Sequence, residues 1–149
     1  MSTKNYNEQM NQNLILKLKT LQKDLPQFTE AFFRGIADST QIKTRIAYAY
    51  DLKIFFYYLC TQNEKFIERS TTVDFYLQDL DIIKAEDLDK YSEFLNLYSI
   101  PNKNDSSKYR TYSNSEKGKL RKLSSIRSFY NFYYKKELIS SNPAMLIDM

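Results

Sequence analysis

Lys117, Lys119, Arg121, Lys122 and Arg127 crowd together in the sequence, close behind Lys103, Lys108 and Arg110. Lysine and arginine gathered in this way bind phosphate by charge, and arginine can also meet guanine O6 and N7 in a major groove. Lys43 and Arg45 form a second, smaller candidate contact. The competing reading of both groups is an ordinary solvated helix face. Charge distribution bears on the choice. Residues 61–99 hold four Lys or Arg against nine Asp or Glu, a local net of −5, whereas residues 100–139 hold ten against three, a local net of +7. The overall charge of +4 therefore divides into an acidic and a basic region. A surface of that kind turns one side to a polyanion.

Two other clusters invite chemistry. Phe129, Tyr130, Phe132, Tyr133 and Tyr134 could stack on single-stranded bases or supply a tyrosine nucleophile. Phe129, Tyr130 and Tyr133 also stand at helical spacing, and the reading preferred here is that they are core residues. Glu86, Asp87 and Asp89 could hold a metal, but carboxylates in a first helical turn are already favoured by the helix dipole. No metal or other cofactor is therefore expected. The chain has no histidine, which removes imidazole acid–base chemistry and imidazole metal ligands. Its single cysteine excludes an intramolecular disulfide and a cysteine-rich metal site.

The elements that must position these residues read as helices. With two Gly and three Pro in 149 residues, the composition argues against a turn-rich β fold. The central helix spans about residues 40 to 61, its buried face marked by Ile42, Ile46, Ala49, Leu52, Phe56 and Leu59 and flanked by Tyr48 and Phe55. Ser39 or Thr40 can cap its start. Before it come a mobile polar start over residues 1 to 7, a helix carrying Leu14, Ile15, Leu18 and Leu21 that ends before Pro26, and a short helix from Phe28 to Ala37. After it, residues 64–81 form a connector with one helical turn, and Ala85 to Tyr98 form a helix through Leu88, Tyr91, Leu95 and Tyr98. Pro101 to Tyr112 read as a polar loop. Ser113 and Glu116 fit a capping box that opens a helix of about 22 residues, with Leu120, Leu123, Ile126, Phe129, Tyr130 and Tyr133 inward. Pro143 can begin one last short turn. The expected core joins Tyr48, Leu52, Phe56, Leu59, Leu88, Leu95, Leu123, Ile126 and Tyr130.

Thr44, Tyr48, Asp51, Leu52, Phe55 and Leu59 fit the pattern T-x-x-x-Y-x-x-D-L-x-x-F-x-x-x-L. This resembles the opening of the core-binding domain of tyrosine recombinases, the Xer and phage or transposon integrase family. The similarity continues through Ile83 to Tyr98, through Leu123 to Tyr130 and into Asn142-Pro143-Ala144. The resemblance implies an all-α, SAM-like bundle of four main helices over residues 28–146, with residues 1–27 as an additional N-terminal helical extension. It also implies sequence-specific binding of a double-stranded recombination site for DNA integration or recombination, alongside other recombinase protomers. In that family the nucleophilic tyrosine, its arginines, lysine and histidines lie in a separate C-terminal catalytic domain. That domain is expected to be absent from this chain, so no catalytic residue is assigned and the chain alone is not expected to be an enzyme.

The candidate DNA contacts are Lys43, Arg45, Lys108, Arg110, Lys117, Lys119, Arg121, Lys122 and Arg127. The alternative function is a helical protein–protein interaction module without DNA binding, its acidic and basic flanks pairing with neighbours. No apolar run approaches the ~18 residues of a membrane span and the start does not resemble a signal peptide, so the expected location is the cytoplasm. No small-molecule ligand is expected.

Overall fold

The computed structural model describes residues 3–102 and 104–147, the side chains of Thr3 and Lys4 excepted. Among the described residues, five helices carry the fold: α1 (Thr3–Gln22), α2 (Thr29–Gly35), α3 (Ile42–Gln62), α4 (Ala85–Phe94) and α5 (Glu116–Lys135). A two-stranded antiparallel hairpin, β1 (Leu97–Pro101) and β2 (Tyr109–Ser113), stands between α4 and α5. Single 3₁₀ turns lie at Leu77–Asp81 and Pro143–Leu146. The fold is the expected helical bundle, α2 to α5, with an N-terminal helix added and a small sheet inserted.

The core forms where the apolar stripe of α3 meets those of its neighbours. Leu52, Phe55, Phe56 and Leu59 of α3 are buried against Leu88, Tyr91 and Leu95 on one side and Leu123, Ile126, Phe129 and Tyr130 on the other. Of the expected core, Tyr48 is the exception. It is half-buried, its ring 6.0 Å from that of Phe32. Leu120 was expected to face inward but is exposed, because it sits on the solvent side of the first turns of α5. Helix α1 begins at Thr3, so residues 3 to 7 are helical rather than part of a mobile start. No Gly or Pro interrupts that stretch, and its polar side chains suit an exposed helix. Residues 5 to 13 are exposed throughout, whereas Leu18 and Leu21 are buried where α1 lies along α3.

Several boundaries moved for identifiable reasons. Ser39 and Thr40 do not cap α3. Their hydroxyls donate backwards to the Ile36 carbonyl, at 3.3 and 2.6 Å, and finish α2 instead. The cap of α5 is Ser115, whose Oγ accepts from the Gly118 amide at 3.1 Å, while Ser113 belongs to β2. Helix α4 stops at Phe94, four residues early, because Tyr98 is taken by β1. Its ring stacks on Phe94 at 4.9 Å and on Tyr112 at 5.5 Å. Gly35 ends α2 in contact with the Phe132 ring, close enough that a Cβ would displace the ring.

The acidic connector is held by two buried carboxylates. Asp79 receives both terminal nitrogens of Arg69, at 2.9 and 3.0 Å, and the Tyr76 amide at 2.8 Å. Asp87 receives Lys65 at 2.6 Å, Asn63 at 2.9 Å and the Lys84 amide at 2.8 Å. Burial alone would raise the Asp87 carboxyl, but the hydrogen bonds from Lys65, Lys84 and Asn63 outweigh it and hold the pKa below the ordinary value. A folded pKa below the unfolded one adds stability above the unfolded value, about 4. That stability is lost as pH falls through the folded value. The denaturation midpoint should therefore drop on acidification below about pH 4, and Asp87→Asn should flatten the drop. An unchanged acid limb in that variant would assign the loss to other carboxylates.

Tyr91 is fully buried among Phe55, Tyr58 and Phe94, yet its hydroxyl meets no hydrogen-bond partner among the described residues. Burial, with the nearby Asp51 charge, pushes its pKa well up. A desolvated, unpartnered hydroxyl costs about 1–3 kcal/mol. Tyr91→Phe should thus be neutral or stabilising in urea unfolding, and a loss of about 1 kcal/mol or more would show that the hydroxyl is satisfied.

Candidate nucleic-acid interface

Helix α5 sets the geometry of the basic cluster. Residues three and four apart share a helix face, so Lys119 and Lys122 follow the inward line of Ile126, whereas Lys117 stands one turn before Arg121 on another side. At the start of α5 that inward line has passed the core and meets the hairpin. Lys119 donates to Asn96 Oδ1 at 3.2 Å, in the turn between α4 and β1. Lys122 donates to Asn114 Oδ1 at 2.7 Å, and the amide nitrogen of Asn114 donates to the Leu95 carbonyl at 2.7 Å. Both ammonium groups are thus aimed by neutral amides. Partial burial lowers the pKa of Lys122, the adjacent Arg121 lowers it further, and Asp51 opposes them. A half-buried ammonium beside another cation is a place where an arriving anion would be favoured.

Arg121 is placed differently. Its guanidinium donates to both carboxylate oxygens of Asp51, at 2.7 and 3.1 Å, and Ser125 Oγ donates to the same carboxylate at 2.5 Å. Asp51 is 1% exposed while the Arg121 side chain is 52% exposed. A buried charge persists only when paired and hydrogen-bonded, so this contact ties α3 to α5. Arg45 is likewise occupied, its Nη1 donating to the Ala37 and Thr40 carbonyls at 2.9 and 2.5 Å. It closes the turn between α2 and α3.

The remaining candidates are distributed over the hairpin, the starts of α3 and α5 and, at Arg127, the middle of α5. Lys43, Lys108, Lys117 and Arg127 are exposed. Arg110, also exposed, lies over the Tyr112 ring at 5.8 Å. Lys103 lies outside the described residues. The supposed loop that carries Lys108 and Arg110 is a hairpin, registered Tyr98 to Tyr112 and Ile100 to Arg110. Its turn is set by Asp105, whose Oδ1 accepts from the Ser107 amide at 3.0 Å and from its hydroxyl at 2.6 Å. Of the aromatic cluster of α5, Phe129, Tyr130 and Tyr133 are buried in the core, Phe132 is half-buried and Tyr134 is exposed. Tyr130 donates to the Leu80 carbonyl at 3.1 Å and Tyr133 to that of Phe28 at 2.7 Å, and burial raises the pKa of both hydroxyls. Asn96, Asn114 and Asp51 were not singled out as orienting residues. Only Asp51 carried a signal, a carboxylate beside the apolar stripe of α3.

A helical bundle with exposed cations on α3, the hairpin and α5 and no histidine is the architecture these residues define. The chain is 32% identical over 103 residues to the tyrosine recombinase XerC of Caldanaerobacter subterraneus subsp. tengcongensis, an alignment covering 68% of this chain. It spans only 27% of the length of that relative. The similarity supports kinship with the tyrosine recombinases. No protein-family profile matches the chain, and no solved structure matches it. Among the described residues, no helix is long and apolar enough to cross a membrane.

Proposed function

We propose that this chain binds duplex DNA as the site-holding part of a tyrosine recombinase, acting beside other recombinase protomers. The contacts are Lys119 and Lys122, which share one face of α5, with Lys117 and Arg127 on its other sides, Lys108 of the hairpin, and Lys43 of α3 as a second contact. One observation carries the reading. Among the described residues, ion pairs engage Lys53, Lys65, Arg69, Lys90 and Arg121, whereas none of these six candidates has a carboxylate partner. Cations that the fold leaves unneutralised are the ones a phosphate backbone can neutralise. Arg45 and Arg121 serve the fold in this reading. Strand cleavage is not proposed for these residues, since Tyr130 and Tyr133 are spent on carbonyls and the chain holds no histidine.

The test is duplex binding against salt. Contact with about three to five phosphates gives a slope of log K on log salt of about −3 to −4.5. Affinity for unspecific sequence near physiological salt should be about 10⁻⁴ to 10⁻⁶ M. Lys122→Gln should weaken all sequences alike and reduce the slope by about one. A flat salt dependence, or no shift of duplex at low salt, would return the chain to the class of helical protein-interaction modules.

A further inference from the structure

A second surface lies on the other side of the hairpin. Residues alternate across a strand, so Tyr98 and Ile100 of β1 share one hairpin face with their partners Tyr112 and Arg110 of β2. That face looks onto the outer side of α3, where Tyr50, Lys53 and Tyr57 project. Between them runs a groove of about 500 Å³, within the ~300–1,000 Å³ range of ligand sites. Its walls are built. The Tyr57 hydroxyl donates to the Ser99 carbonyl at 3.2 Å, fastening the hairpin to α3, and Ser99 and Thr111 join hydroxyls at 2.9 Å on the far face. Tyr98 and Tyr112 are stacked within 20° of parallel.

The chemistry of the lining is specific. Tyr50, Tyr57 and Tyr112 bring aromatic surface to one groove, Tyr98 backs Tyr112 from within the fold, and no carboxylate is among the described lining residues. Two cations are among the described lining residues, and Lys17 of α1 lies over the Tyr50 ring at 5.7 Å. Lys53 is held by Asp24 at 3.0 Å, but Arg110 has no carboxylate partner among the described residues. A ligand that matches both features has a flat ring to lay against tyrosine and an anionic group for Arg110. Stacked bases inside a duplex offer no free face, whereas an unpaired nucleotide offers a base and a phosphate together. We infer that the groove between α3 and the hairpin takes an unpaired nucleotide of single-stranded DNA, the base against the tyrosines and the phosphate at Arg110. The site uses none of the α5 cations Lys117, Lys119, Lys122 or Arg127, although Lys108 belongs to the same hairpin, its carbonyl accepting from the amide of the lining Asn102 at 2.7 Å.

The experiment titrates the full chain into a fluorescein-labelled (dT)12 oligonucleotide, read by anisotropy, with a labelled duplex measured in parallel. Tyr50→Ala and Arg110→Gln, both at exposed positions, should each weaken (dT)12 binding by roughly tenfold, and Tyr50→Ala should leave duplex binding nearly unchanged. Lys122→Gln should do the reverse. Arg110→Lys, which keeps the charge, should restore part of the loss. Circular dichroism confirms that each variant is folded. If both groove variants hold (dT)12 as tightly as the parent, the inference is overturned, whatever the duplex shows. Displacement of (dT)12 by an equal concentration of free AMP would also overturn it, since the site would then be one for a mononucleotide. Loss of duplex binding alone in the Lys122 variant, with (dT)12 retained, would support two separate surfaces.

Discussion

Arg121→Ala is expected to lower the unfolding free energy by about 3–5 kcal/mol, the cost of leaving a buried charge without its partner. Asp51 is almost wholly inaccessible and holds three hydrogen bonds, two from Arg121 and one from Ser125. Removing Arg121 leaves the carboxylate inside the protein with a single hydroxyl. Asp51→Asn should cost less, because the half-exposed guanidinium can turn to water while the amide keeps part of the network. This asymmetry distinguishes a buried pair from a surface pair, whose two halves would each be worth about 0–1 kcal/mol. Urea unfolding of both single variants and the double variant measures it. If Arg121→Ala costs under about 1 kcal/mol, the pair is solvent-screened and Arg121 is available to DNA. A loss of DNA binding in an Arg121 variant therefore has meaning only once its stability is known.

The helical elements were legible because their periodicity is strong. Leu52, Phe56 and Leu59 lie where the spacing on α3 put them, and so do Leu123, Ile126 and Tyr130 on α5. The hairpin was not legible as a whole, although Tyr109-Arg-Thr-Tyr112 is rich in strand formers. Its neighbours Asn102, Asn104, Asp105, Ser106 and Ser107 have the composition of a loop, and they do form the turn. What overrode the loop reading is tertiary: Tyr98 and Tyr112 stack, and Tyr57 pins the strand to α3. The basic cluster was visible as charge, but its internal division was not. Composition cannot tell Lys122, aimed by an asparagine, from Arg121, consumed by a buried aspartate, because the partner Asp51 lies 70 residues away. The pairing also gives the two quoted motifs a physical reason to occur together. The aspartate of the first, on α3, is held by Arg121 just before the second and by Ser125 within it.

Phe129→Ala should cost about 3–5 kcal/mol, a change on the scale of the whole stability of a small domain. Phe129 is fully buried, and five rings surround it at 5.1 to 6.3 Å: Phe28, Phe32, Phe56, Tyr130 and Tyr133. Those rings come from the start of α2, from α2 itself, from α3 and from α5, so one side chain closes the junction of three helices. Truncation forfeits the burial of the ring and leaves a cavity whose walls are stiff aromatics, poorly able to collapse. The geometry makes the loss larger than area alone predicts, since Phe32 and Phe56 meet the ring near-perpendicularly, at 83° and 88°. Such edge-to-face contacts add about 0.5–1.5 kcal/mol each beyond burial. Phe129→Leu keeps most of the volume and should lose much less. Thermal unfolding should place the alanine variant about 10 °C or more below the parent, with the leucine variant between them. An alanine variant within about 1 kcal/mol of the parent would mean that α2 and α5 do not meet around this ring. The placement of α5, and with it the orientation of Lys119 and Lys122 toward the hairpin, would then need another support.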